Sequence, residues 1–142
     1  MKKRVFAMVI TVMTAFAFAG CGGNEVTEKP QAPDLAGEWK QSNSNSDDAY
    51  QIATIQDDTI EVYWYTESDE TKALYWAGTY IAPETADEPY TWDSTADHEK
   101  TDSALLASMD DTKTFTYESD QISYEVSAMG ITQTVRLEKV TE

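Results

Sequence analysis

From Leu35 to Leu137 the apolar residues recur at every second position, and turn-forming residues separate the runs. Period two predicts strands, because successive side chains of a strand point to opposite faces. Leu35, Gly37 and Trp39 share one face of a first strand, and Gln51 to Gln56 form a second, ended by Asp57-Asp58. Ile60, Val62 and Trp64 then alternate with Glu61, Tyr63 and Tyr65. After a turn over residues 67–71, Leu74, Trp76, Gly78 and Tyr80 line a fourth strand, leaving Tyr75 on the opposite face. Tyr90 to Asp93 make a short fifth strand, Phe115 and Tyr117 mark a sixth, and Ile122, Tyr124 and Val126 a seventh. Gly130 turns the chain into an eighth carrying Ile131, Val135 and Leu137. Helical spacing is confined to residues 103–109.

The expected fold is therefore all-β: a small antiparallel up-and-down meander of about eight strands. Closure into a barrel would remove its edges, and an open β-sandwich is the alternative. DDTIEVYWYTESD at 57–69 and DDTKTFTYESD at 110–120 echo each other. Acidic turns flanking β-formers account for the echo without a duplication.

The pattern changes before residue 35. Lys2, Lys3 and Arg4 precede an apolar run from Val5 to Phe18 that only Thr11 and Thr14 interrupt. As a helix this run reaches about 21 Å, short of the roughly 30 Å hydrocarbon core, so residues 1–20 read as a signal peptide. The junction Phe18-Ala19-Gly20-Cys21 resembles the lipobox of bacterial lipoproteins. That resemblance implies cleavage before Cys21 and a diacylglyceryl thioether on its sulfur, anchoring the chain in the bilayer at the extracytoplasmic face of the cell membrane. Cys21 is the one cysteine, so no intrachain disulfide is possible, and lipidation would consume the unpaired thiol. Residues 21–34, with Gly22, Gly23, Pro30 and Pro33, read as a flexible lipidated tether, and residues 35–142 as the domain.

The net charge is −16, and none of the 26 acidic residues lies before Cys21. Such an excess repels polyanions and excludes nucleic acid as a partner. Aromatic residues at 11% and hydrophobic residues at 41% are enough for a real core in one domain of this length.

Gly37-Glu38-Trp39 resembles the G-x-W motif of lipocalins and the wider calycin group. The resemblance implies a barrel closed at one end by Trp39, with a basic residue of the last strand over its indole. Arg136 and Lys139 both lie in that strand; Arg136 alternates with Val135 and Leu137, and Lys139 shares their face.

Candidate chemistry is sparse. His98 is the one histidine, in Asp97-His98-Glu99 near Asp93 and Asp102, but its surroundings match no metal-ligand spacing. The doubled aspartates match no calcium loop. No nucleophile motif or phosphate loop is present, so neither an enzyme nor a cofactor is expected. The aromatic residues carry more information. Tyr63, Tyr65 and Tyr75, expected to face outward, join Tyr90, Trp92 and His98 of a loop spanning residues 83–100 as the candidate binding residues. Acids outnumber bases in that loop, which favours a cationic or polyhydroxylated ligand. The function expected is a non-catalytic binding module for a small ligand or an envelope protein. An envelope defence factor of the superinfection-exclusion type, by analogy of anchor and size, is the alternative.

Overall fold

The computed structural model describes residues 30–141 and realises the alternation as eight strands; Cys21 and the expected signal peptide lie outside the described residues. The strands are β1 (Gly37–Gln41), β2 (Ala49–Gln56), β3 (Thr59–Thr66), β4 (Thr71–Thr79), β5 (Tyr90–Thr95), β6 (Thr112–Glu118), β7 (Gln121–Ala128) and β8 (Ile131–Lys139). They form one antiparallel sheet in the order β4-β3-β2-β1-β8-β7-β6-β5. Consecutive strands are neighbours except β4 and β5, and β1 pairs with β8, so the up-and-down meander is a nearly closed barrel.

The seam lies between β4 and β5. A bridge joins Gly78 to Ala96, and the Thr95 amide donates to Thr79 Oγ1 at 2.8 Å. Trp76 Nε1 donates to Ser94 Oγ at 2.9 Å beneath it. A Cβ on Gly78 would stand 2.5 Å from Ser94 Oγ and 2.6 Å from the Thr95 carbonyl oxygen. Glycine is what lets the two strands close.

Tight turns complete the meander. Ser119 and Asp120, and likewise Met129 and Gly130, have positive φ, the backbone of two-residue hairpin turns whose twist matches the strands. The inward positions of all strands converge on one core, in which Leu35, Trp39, Ile55, Ile60, Val62, Trp76, Phe115, Ile122 and Leu137 are almost completely buried. An eight-stranded barrel is just wide enough for such side chains to fill it.

Two features depart from strict alternation. Val62 pairs with Trp76 but Tyr63 pairs with Leu74, so Tyr75 is an extra residue in β4 without a partner in β3. This bulge turns Tyr75 inward beside Trp76; it is 5% exposed and not outward-facing as the period predicts. Trp64 keeps the inward parity of β3 but sits beyond the packed core and is 36% exposed.

Among the described residues the one α-helix, α1 (His98–Thr101), lies before the expected helix at residues 103–109. Asp97 caps it by accepting from the Glu99 amide at 3.1 Å. Residues 104–109 instead cross the barrel mouth as irregular chain. The Ser108 amide donates to the Tyr75 carbonyl at 2.8 Å, and Trp64 Nε1 donates to the Leu106 carbonyl at 3.3 Å.

Candidate functional site

The barrel has two dissimilar ends. At the terminal end, where both described termini lie, Trp39 Nε1 donates to the Leu35 carbonyl at 2.9 Å, folding the incoming chain across the opening. Lys139 is the register partner of Trp39 in β8; its Nζ lies 6.0 Å from the indole centroid and donates to the Asp34 carbonyl at 2.8 Å. Gly37 has φ +127, and a Cβ there would stand 3.2 Å from Lys139 Cε. Gly37 thus leaves room for the lysine stem. Lys139, not Arg136, is the basic residue over the tryptophan. Arg136 points to the opposite face of β8 and is exposed, while its backbone amide bonds Asn43 Oδ1 at 3.0 Å.

The six binding candidates do not come together. Tyr63 and Tyr65 lie on the outer wall of β3, as expected. The Tyr63 hydroxyl donates to Glu61 Oε2 at 2.6 Å, and Tyr65 rests on Tyr50 with centroids 5.4 Å apart. Burial first, and the Glu61 carboxylate second, push the Tyr63 phenol up to about 12. Tyr75 lies inside the barrel. Trp92 is a core residue, 3% exposed and stacked on Phe115 with centroids 5.2 Å apart and planes at 16°. Its position on β5, inward like Ser94, explains this: the strand divides the expected loop over residues 83–100 into two loops at opposite ends. Tyr90 stacks on Trp92 at the terminal end and donates from its hydroxyl to the Ile81 carbonyl at 2.6 Å.

His98 lies at the far end. Its Nδ1 is 3.1 Å from Asp102 Oδ1 and its Nε2 is 3.0 Å from Asp111 Oδ1, so the imidazole ties α1 to the start of β6. Hydrogen bonds to these two carboxylates, Asp102 foremost, raise its pKa. Only an imidazolium can donate to both. Among the described residues no group of three or more His, Cys, Asp or Glu is arranged to hold a metal ion. Lys100, the base of the expected acidic loop, is taken up by Glu61 at 2.6 Å, and that contact holds the Glu61 carboxyl below its ordinary range.

A surface that the alternation does not reveal lies on the far rim. Leu105, Leu106 and Met109 of the crossing segment, Met129 and Ile131 of the β7–β8 hairpin, and Trp64 are all exposed. A cleft of about 410 Å³ runs between Trp64, Leu106, Met109, Val126 and Ala128, and a second of about 430 Å³ continues past Trp64 and Leu106 to Gln133. The crossing segment and the hairpin thus share one apolar rim. The sequence signal was the spacing of Leu105, Leu106 and Met109, which reads as one face of a helix when the crossing of the mouth is unknown.

Beneath this rim the interior is polar. The Tyr124 hydroxyl donates to Gln51 Oε1, leaving the buried Gln51 Nε2 without a partner. Burial pushes the Tyr124 phenol well up. Lys113, at the inward parity of Phe115 and Tyr117, is 9% exposed. Comparison with protein families, with curated proteins and with solved structures finds no match.

Proposed function

We propose that the protein is a non-catalytic binding module, displayed from the extracytoplasmic face of a membrane by an acylated Cys21, that docks an envelope protein on its far rim. The observation that carries the reading is the gathering of Trp64, Leu105, Leu106, Met109, Met129 and Ile131 at the barrel end opposite the chain termini. Contiguous exposed apolar surface with an aromatic anchor is the composition of a protein-docking patch. The placement fits the tether. Residues 30–34 enter at the Trp39 end, so the rim lies at the barrel end away from the expected tether.

Packing argues against a ligand held along the barrel axis. Trp39, Phe115, Trp76 and Leu137 occupy that space at the terminal end and middle. No helix among the described residues is long and apolar enough to cross a membrane.

The test combines chemistry at residue 21 with capture at the rim. Mass spectrometry of the mature N-terminus should show diacylglyceryl-cysteine, and Cys21→Ala should release the protein from membranes. Capture from envelope extracts should be lost in Leu105→Ser/Leu106→Ser while the unfolding midpoint stays unchanged. If that folded double variant captures every partner as well as the parent does, the rim is not the site.

A further inference from the structure

We infer that a slit in the barrel wall between β6 and β7, adjoining the rim cleft at Asp110 and Ser127, is a second site, for a neutral saccharide of one or two rings. The two strands pair only next to their turn, through Thr116–Ser123, Tyr117–Ile122 and Glu118–Gln121. Beyond that point β6 stays paired to β5 as far as Thr112, and β7 stays paired to β8 as far as Ala128. The wall therefore holds two facing strand edges, Thr112–Phe115 and Tyr124–Ala128, without a ladder between them.

A side chain stands where the ladder is missing. Lys113 Nζ crosses the slit to donate to the Glu125 carbonyl at 3.1 Å, with Asp110 Oδ2 at 3.6 Å. The rings of Tyr75 and Trp76 back the ammonium at 5.2 and 5.5 Å. The lysine floors a cleft of about 440 Å³ on the outer wall, within the ~300–1,000 Å³ range of small-molecule sites.

The lining selects the ligand. Hydroxyls of Thr112, Thr116, Ser123, Ser127 and Thr134 surround the lysine, with Asp110 and Glu125 at the margin. Apolar ligands find almost nothing to bury there. Anions meet two carboxylates on a chain of net charge −16. A neutral polyol donates to the carboxylates and free carbonyls and accepts from the ammonium, the hydroxyls and free backbone amides, satisfying groups that a β-ladder would otherwise occupy.

Titration of the detergent-solubilised full chain with maltose and with di-N-acetylchitobiose, followed by amide NMR, tests this. At least one sugar should give saturable shifts confined to residues 112–116 and 123–127. Lys113→Met should weaken that binding about tenfold or more, the loss expected for a charge-assisted hydrogen bond. Thr116→Val, on the outer face, provides the same test if the lysine variant does not fold. Four outcomes would overturn the site: no saturable shift with either sugar, shifts elsewhere, tighter binding of galacturonate than of a neutral sugar, or an extended peptide perturbing these edges while both sugars leave them unmoved.

Discussion

Lys139 Nζ lies over the indole of Trp39, 6.0 Å from its centroid, and simultaneously ties the incoming chain through the Asp34 carbonyl. The pair sits where the first and last strands meet, so it locks the barrel at the point of its chain ends. Removing the buried Trp39 side chain should cost about 3–5 kcal/mol, a large part of the ~5–15 kcal/mol that holds a small domain folded. Lys139→Ala should lower the unfolding midpoint measurably and Arg136→Ala should leave it within about 0.5 kcal/mol of the parent. Equal losses from the two basic residues, measured by urea denaturation, would remove the assignment.

Gly78 tests barrel closure. Its added Cβ would meet Ser94 Oγ and the Thr95 carbonyl inside van der Waals contact, and the carbonyl is backbone that cannot swing away. Gly78→Ala should destabilise by about 1–3 kcal/mol, as overpacking does. Amide exchange should accelerate at Thr95 and Asp97, whose N–H groups bond Thr79 Oγ1 and the Ala77 carbonyl across the seam.

Trp92 should behave as a core residue. Trp92→Ala leaves a void against Phe115, Tyr80 and Tyr90, and a loss of about 3–5 kcal/mol is expected. Tyr90→Phe removes one exposed hydrogen bond and should cost about 1 kcal/mol. Thermal unfolding of both variants makes the comparison; a Trp92→Ala protein as stable as the parent would return that residue to the list of binding candidates.

His98 gives the domain a pH dependence of defined sign. Its folded pKa is raised above the ordinary 6.5 by Asp102 and then Asp111. Its contribution is therefore complete below about pH 6.5 and disappears as pH rises through the raised value. Amide exchange at Ser108, in the crossing segment, should be slower at pH 5.5 than at pH 8 relative to the chemical exchange rate at each pH. His98→Ala should abolish that difference, and a difference that persists in the variant would assign it to another group.

Much of the barrel was legible because strand alternation is a local property. Ile60 with Val62, Phe115 with Tyr117, and Val135 with Leu137 each declare their buried face within three residues, and the doubled turn residues mark where the chain reverses. The same alternation placed Tyr63 and Tyr65 outside, and the G-x-W triplet placed Trp39 at a structural position. Lys113 was not singled out, although its parity with Phe115 puts it indoors, which is an unusual place for a lysine.

What pairing decides across the sheet is not written in any single run. Tyr75 turned inward because β4 has one more residue than β3 needs between Trp76 and Leu74, a count that exists only once both strands are aligned. Lys139 prevailed over Arg136 because the β1–β8 register sets it opposite Trp39. The gathering of Leu105, Leu106, Met129 and Ile131 on one rim, and the divergence of β6 from β7 around Lys113, follow from where the strands end in space. Periodicity fixes which face of each strand is buried, whereas bulges, register and the company kept at a barrel end are set by contacts between residues far apart in the chain.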